Sequence, residues 1–369
     1  MKVTFPHMGN LHIAIKAIVQ EIGAEPVVPP FISKRTVELG ARYSPEFACY
    51  PLKLNLGNFL EARELGAEAV VMGGGTGPCR FGYYAQVQDK ILRSLGFPLR
   101  MVVLEPPQEG WGQLWRQIRQ LSPSCSYRTV MRAIALGWAK VHALDQLEAA
   151  ALRCRCAEKS PGALDLALSR ALDAVDRALT PKGVYQAARE GQEGLAQVTG
   201  PLDPERPRIA VVGEVYMVLE PAANLDLERR LGKLGAEVVR SIYIGEWIRA
   251  NLLPRVFMPR EERERVEAAH PYLAHFAGGH ARETVGSTVL YSKQGIDGVI
   301  QVQPLTCMPE IVAQGVLGAV SRDHDIPVLT LSLDEHSAPT GVQTRLEAFV
   351  DMAVRRRKRR QATSSSTWE

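Results

Sequence analysis

Short apolar runs alternate along this chain with apolar positions at helical spacing. Val3 to Phe5, Pro26 to Val28, Ala69 to Met72 and Arg100 to Leu104 are β-prone runs, while Leu11, Ile15, Ile18, Val19 and Ile22 recur at a helical period between the first two. Strand followed by helix, repeated, predicts a parallel sheet with helices on its faces, because parallel neighbours need a crossover between them. From about Trp111 to Gln197 the spacing is helical with almost no strand signal, and Gly200-Pro201-Leu202-Asp203-Pro204-Glu205-Arg206-Pro207 then breaks the chain. The alternation resumes with strands at Arg208 to Gly213, Glu237 to Ile242, Gly298 to Val302 and Ile326 to Leu331, and helices at Leu225 to Leu234 and near Glu246. A last helix carries Val342, Leu346, Phe349, Val350 and Ala353 on one face.

The expected fold class is therefore α/β: two open parallel-sheet domains of Rossmann or flavodoxin-like kind with an intervening helical segment. The boundaries fall at 1–110, 111–200, 201–354 and a tail at 355–369. A length of 369 residues suits two cores, and the two halves read as candidate structural duplicates, although no sequence repeat proves it. Composition agrees, since 46% hydrophobic and 23% charged residues describe a folded globular chain. The formal charge of +4 changes meaning once Arg355, Arg356, Arg357, Lys358, Arg359 and Arg360 are set aside, for without these six the balance is −2. That run, followed by Gln361-Ala362-Thr363-Ser364-Ser365-Ser366, is expected to be a frayed, solvated and disordered tail rather than a nucleic-acid or membrane contact. The N-terminus enters a strand directly without the regions of a secretory signal, and the apolar stretch from Ala133 to Leu152 is interrupted by Lys140, Asp145 and Glu148. These features predict a cytoplasmic chain with no membrane span, in which six cysteines are thiols or metal ligands rather than disulfides.

In an open parallel sheet, ligands bind where strands end and helices begin. Cys49 precedes Pro51, which is placed for the first turn of a helix containing Leu54, Phe59 and Leu60. Cys79 follows the strand Val70-Val71-Met72 in Gly73-Gly74-Gly75-Thr76-Gly77-Pro78-Cys79 and precedes a helix with Tyr84, Val87 and Ile91. Cys307 follows Val299-Ile300-Gln301-Val302 and precedes Pro309 and the helix Ile311-Val312-Ala313. Helix dipoles and the nearby cations Lys53 and Arg80 favour thiolates at such points, suiting metal ligands or nucleophiles. Three thiolates from two domains predict a metal or cluster bridging the cleft. Zinc would ask for a fourth Cys or His, whereas an iron–sulfur cluster can keep one iron open, with glycines such as Gly77 letting backbone N–H groups approach the sulfurs. Buried cysteines that merely pack are the alternative, and spacing alone leaves the two readings evenly matched.

Other candidates weigh less. Cys154 and Cys156 lie in the helical segment without a matching second pair, and Cys125 has no partner motif, so all three read as structural. His275 and His280 flank Gly278-Gly279, with Glu283 three residues on; a metal pair or proton relay is conceivable there, and turn capping or packing at a domain face is the favoured reading. The glycine run at 73–77 has no lysine placed for phosphates, and no Gly-x-x-x-x-Gly-Lys-Ser/Thr occurs, which argues against a nucleotide loop.

Glu46-x-x-Cys49-x-Pro51-x-Lys53, Gly77-Pro78-Cys79-Arg80-Phe81-Gly82-x-Tyr84 and Thr306-Cys307-x-Pro309-Glu310 resemble the three cysteine motifs of the 2-hydroxyacyl-CoA dehydratase family, especially its activase-related and double-cubane-cluster relatives. Gly213-Glu214-Val215-Tyr216, Asn224-Leu225-Asp226-Leu227-Glu228 and Gly278-Gly279-His280 look like further segments of that family. The resemblance implies that Cys49, Cys79 and Cys307 ligate an iron–sulfur cluster, either a 4Fe–4S cluster with an unusual fourth ligand or half of an 8Fe–9S double cubane shared by two subunits. It implies a homodimer or a heterodimer with a related chain, and a partner ATPase carrying its own 4Fe–4S cluster, the activase, which delivers low-potential electrons at the expense of ATP. Lys53, Gly77, Arg80 and Glu310 are then expected around the ligands, the cations to offset cluster charge and Glu310 to favour its own helix N-terminus. The expected activity is reduction or dehydration of a small substrate; a non-enzymatic electron carrier or scaffold and a zinc- or nucleotide-binding protein are the rivals.

Overall fold

The computed structural model describes residues 1–75, 77–104, 111–252 and 260–365. Thr76 and the expected boundary at 110 lie outside these described residues. The chain is α/β and divides into two compact units, each built on a four-stranded, all-parallel sheet.

The first unit comprises residues 1–144, 174–187 and 244–257. Its elements begin with β1 (Lys2–Thr4), α1 (Leu11–Glu21), β2 (Glu25–Pro26), α2 (Lys34–Tyr43), α3 (Tyr50–Glu64), β3 (Ala69–Gly73), α4 (Tyr84–Ser94), β4 (Arg100–Leu104) and α5 (Trp111–Leu121). Strand order is β2-β1-β3-β4, so the order reverses between β1 and β3. Helix α3 is buried on every side from Tyr50 to Ala62, and part of its polar surface is paired inside the unit, while the side-chain oxygens of Asn55 and Asn58 are buried without a hydrogen-bond partner. Thr36 donates to Glu61 at 2.6 Å, Gln88 to the Leu52 carbonyl at 3.1 Å and Asn58 to the Pro30 carbonyl at 3.3 Å. Such pairing is what makes a polar helix tolerable in a core. Helices α2 and α3 approach so closely that a Cβ on Gly57 would lie 2.0 Å from the Thr36 carbonyl oxygen.

The helices α6 (Tyr127–Cys154), α7 (Ala163–Arg177) and α8 (Pro181–Gln197) complete the helical stretch. It was expected as a separate insert over 111–200; instead residues 111–144 and 174–187 belong to the first unit, and 145–173 and 188–200 to the second. Lysines fix the first of these attachments. Buried Lys140 donates to the Asp176 carbonyl at 2.7 Å, and Lys16 pairs with the Asp176 carboxylate.

The second unit comprises residues 145–173, 188–243 and 258–369. Its further elements are β5 (Arg208–Gly213), α9 (Val215–Leu219), α10 (Leu227–Lys233) and β6 (Glu237–Arg240); then, after α11 (Ile244–Leu252) of the first unit, come α12 (Arg260–Ala269), α13 (Ala281–Lys293), β7 (Gly298–Pro304), α14 (Met308–Asp323), β8 (Val328–Leu333) and α15 (Pro339–Ser365). Strand order is β6-β5-β7-β8, the same plan as in the first unit. All seven residues of β7 are buried, as a central parallel strand covered on both faces should be. β8 starts two residues later than expected, after Pro327, and β7 runs on to Pro304 because Gln303 and Pro304 pair with Ser332 and Leu333. A buried triad joins the helical stretch to the sheet: Arg240 holds Glu228 by two bonds of 2.7 and 2.6 Å and also pairs with Glu148.

The basic run is not the frayed tail its composition suggests. Residues 355–365 continue α15, whose Val342, Leu346, Phe349, Val350 and Ala353 are buried as the spacing predicts. Arg356 clamps Asp325 with bonds of 2.9 and 2.7 Å, Arg357 reaches Asp297 at 2.9 Å and Arg360 pairs with Asp325 at 3.6 Å, so three of the six charges are held by carboxylates and the helix persists. The last four residues lie outside the described ones.

Candidate functional site

In the first unit the reversal of strand order brings the loops after β1 and β3 to the same end of the sheet, the end where parallel α/β folds bind ligands. Cys49 is the N-cap of α3, with extended backbone and Pro51 in the first turn, and only 8% of it is exposed. Cys79 is the N-cap of a 3-10 turn, Arg80–Tyr83, that leads into α4. Neither thiol is used as a side-chain cap. The glycines before Cys79 fold the loop onto the turn after it: a Cβ on Gly82 would lie 2.5 Å from the Gly75 carbonyl oxygen, and one on Gly75 would lie 3.1 Å from the Phe81 ring. Gly77, at φ +101°, takes a conformation that L side chains avoid.

The loops of Cys49 and Cys79 are joined by their cations. Lys53, one turn into α3 and buried, sends its ammonium back to the Glu46 carbonyl at 2.9 Å, and Arg80 donates to the Phe47 carbonyl at 2.9 Å. Phe81 and Ala48 pack against the apolar cluster that contains Cys49, Leu52, Met72 and Tyr84. The same end of the unit holds a feature that spacing did not suggest: His7, buried after β1, stacks on His12 at 5.4 Å, with Phe31 edge-on to both. Burial depresses the His12 pKa.

In the second unit the corresponding reversal lies between β5 and β7. Cys307, 5% exposed, is the N-cap of α14, again with proline in the first turn and again without a side-chain cap bond. Thr306 before it has φ +69°, a strained value for a β-branched residue. Gly213 ends β5 at φ +133°, and a Cβ there would lie 2.0 Å from the Val302 carbonyl, so only glycine fits beside β7. Glu214 follows and caps α9 through the Met217 N–H at 2.9 Å.

Glu310 does not turn back on its own helix N-terminus as expected. Its carboxyl, 1% exposed, accepts from the Thr284 hydroxyl at 3.1 Å and the Gln301 amide at 2.9 Å, linking α14 to α13 and β7. Burial, reinforced by Glu214 and Glu283, pushes its pKa up to about 7 against the bonds from Gln301 and Thr284. Burial likewise pushes Glu214 up to about 7 and His280 down to about 4. Glu262 rises to about 7 through burial and the neighbouring Glu283, with which it shares a hydrogen bond, so this pair holds a proton near neutrality. Of these carboxyls, Glu283 had been noted beside His280 and Glu214 only within the segment Gly213-Glu214-Val215-Tyr216, while Glu262 had not been noted at all. The charge-rich run Arg260 to Glu267 looks like a solvated helix face, and the Gly213-Glu214 pair is the one local signal that could have pointed to Glu214.

His280 is the N-cap of α13, and its side chain makes no cap bond; His275 is exposed. Cys154 ends α6, Cys156 donates weakly to the Arg153 carbonyl, and Cys125 packs against the apolar cluster around Val3, all in keeping with structural roles. None of the six cysteines is joined in a disulfide. Cys49 and Cys79 thus belong together in the first unit, and Cys307 belongs to the second. Among the described residues no three His, Cys, Asp or Glu side chains form a ready-made metal-holding group. Taken one by one, the thiols have the chemistry of iron–sulfur ligands: in the first unit Cys49 and Cys79 stand at helix entrances near Lys53 and Arg80, with glycine-rich backbone before Cys79, and in the second Cys307 stands at a helix entrance. Among the described residues no helix is long and apolar enough to cross a membrane.

No protein-family model matches the chain and no curated protein matches it, so the assignment of this site rests on the geometry above and on the cysteine motifs themselves.

Proposed function

We propose that this chain is an oxygen-sensitive iron–sulfur protein of the 2-hydroxyacyl-CoA dehydratase type, with Cys49, Cys79 and Cys307 as cluster ligands. The observation that carries the reading is the recurrence of one local design: each of the three motif cysteines is a helix N-cap without a cap bond from its own side chain, and two of them stand directly before proline-led α-helices. Cys154 also caps a 3-10 turn, Arg155–Ala157, without a side-chain cap bond, but with helical backbone at the end of α6, whereas Cys49, Cys79 and Cys307 are extended there. Lys53 and Arg80 support the reading because their charges gather where thiolates and sulfide would add negative charge. Six cysteines without a disulfide suit a reducing, cytoplasmic setting. The bound cluster, 4Fe–4S or half of an 8Fe–9S double cubane, supplies one-electron chemistry; the protein receives its electron from an ATP-dependent 4Fe–4S activase and reduces or dehydrates a small substrate, acting as a homodimer or with a related chain.

The test is anaerobic purification followed by assay of iron and acid-labile sulfide in wild type and Cys307→Ala. Roughly four iron and four sulfide per chain in the wild type, lost in the variant, is the expected result, and sulfide in excess of iron favours the double cubane. A chain that stays free of iron after reconstitution refutes the proposal. Addition of the activase, ATP and a reductant then separates the two roles: substrate turnover marks an enzyme, and cluster reduction without turnover marks an electron carrier.

A further inference from the structure

The second unit carries a charged cavity that the proposed cluster does not use. It lies against α10 and α15, has a volume of about 260 Å³ and is lined by Asp226, Arg229, Arg230, Lys233 and Gln343. Ligand cavities commonly run from roughly 300 Å³ upward, so this one suits a small molecule rather than a whole cofactor. Three of its five side chains are cations, all on α10. Spacings of four and three put Asp226, Arg230 and Lys233 along one face of that helix, and Arg229 lies one turn before Lys233.

Two of the cations are held in place without losing their charge. Arg230 donates Nε to the Leu225 carbonyl at 2.7 Å and Nη1 to Gln343 Oε1 at 2.9 Å, and both partners are neutral. Gln343 is steadied in turn by Glu347, which accepts from its amide at 2.8 Å. Arg229 pairs with Asp165, but Arg155 takes the other oxygen of that carboxylate at 2.7 Å, so one negative charge serves two guanidiniums. Lys233 is exposed and has no ion pair among the described residues.

The carboxylate at the rim is equally unspent. Asp226 is the N-cap of α10, yet its side chain makes no cap bond, because Asn224 Oδ1 accepts the Leu227 N–H at 3.0 Å instead. Leu225 and Asp226 both have left-handed backbone, at φ +60° and +57°, a conformation that residues with a Cβ adopt at a cost. It is the Leu225 carbonyl from this strained pair that holds Arg230.

We infer that this cavity binds a small sugar phosphate, with its phosphate among Arg229, Arg230 and Lys233 and a sugar hydroxyl donating to the Asp226 carboxylate. Guanidinium and ammonium groups are the natural partners of phosphate oxygens, and pre-fixed arginines lose little freedom on binding it. A bare phosphate would meet Asp226 as a like charge, whereas a hydroxyl beside the phosphate gives that carboxylate a donor. The inference lies wholly within the second unit and does not depend on the cluster.

The test is isothermal titration calorimetry on the full chain with ribose 5-phosphate, ribose, inorganic phosphate and AMP. Ribose 5-phosphate is expected to bind, less tightly as salt is raised, while ribose gives no heat and inorganic phosphate binds about tenfold more weakly or not at all. Lys233→Ala, which removes no protein contact, should weaken ribose 5-phosphate by about tenfold, and Lys358→Ala should leave it unchanged. Asp226→Asn should weaken ribose 5-phosphate and tighten inorganic phosphate. AMP binding more tightly than ribose 5-phosphate makes a nucleotide the source of the sugar phosphate, and AMP failing to bind makes it the free sugar; the site stands in either case. Absence of binding by both sugar phosphates, or binding that Lys233→Ala leaves untouched, overturns the site. Inorganic phosphate binding as tightly as ribose 5-phosphate overturns the role of Asp226 and the sugar with it.

Discussion

Glu310→Gln isolates the effect of one buried carboxyl. The side chain is 1% exposed and its pKa stands at about 7 instead of 4.5, so the folded state prefers the neutral acid. A folded-state pKa above the unfolded one gives stability that is present in full below pH 4.5 and is lost as pH rises through 7. At pH 5 the loss is about 1 kcal/mol and at pH 8 about 3 kcal/mol, from 1.36 kcal/mol per pKa unit. Glutamine does not titrate, and its amide can keep one bond to Gln301 and one to Thr284. The metal-free variant should therefore gain on the wild type by about 2.5 kcal/mol between pH 5 and pH 8, whatever fixed offset the exchange introduces. Urea unfolding of both proteins across this range, followed by far-UV circular dichroism, measures the gap. Parallel stability curves would show that Glu310 is already ionised in the fold and would refute the reasoning.

Further outcomes follow from particular contacts. Gly286→Ala places a Cβ 1.8 Å from the Arg265 carbonyl oxygen and should destabilise by about 3 kcal/mol or more, read from thermal or urea unfolding. Arg357→Ala leaves Asp297, 2% exposed, with only its bond from the Arg208 N–H and should cost about 1.5–3 kcal/mol, whereas exposed Lys358→Ala should stay within about 0.5 kcal/mol in the same assay. Cys154→Ser combined with Cys156→Ser should leave iron and sulfide per chain unchanged after reconstitution; a loss of iron would move the site into the helical stretch.

Strand existence and the parallel plan were legible because apolar runs and helix-spaced positions punctuate the chain so regularly, and Arg100–Leu104 and Arg208–Gly213 fall where the sequence puts them. Helix α3 was legible through Pro51 rather than through its apolar pattern: Leu52, Leu54 and Leu56 alternate with Lys53 and Asn55 as a strand would, and the helix tolerates this because it is buried all round. The three cysteine landmarks could be read from flanking strands and prolines. The carboxyl network around Glu310 could not be read as a network, since Glu214, Glu262 and Glu283 come from separate segments, and nothing local links Glu214 beside Gly213 or Glu283 near His280 to Glu262 in the charge-rich run. The tail was misread because composition reports the six charges and not the carboxylates of Asp297 and Asp325 that hold three of them.

Both units are discontinuous in sequence, and that bears on how the protein is made. The first sheet is complete by Leu104, yet its unit also claims α11, which leaves the ribosome only after most of the second unit's first strands have been synthesised. The second unit waits longer still, since Arg357, in α15, supplies a partner of buried Asp297. Neither half can finish as an independent product of vectorial synthesis. The nascent chain must keep its thiols and half-covered sheets protected while these later segments are made, and a chain cut within α15 should be degraded rather than merely shorter.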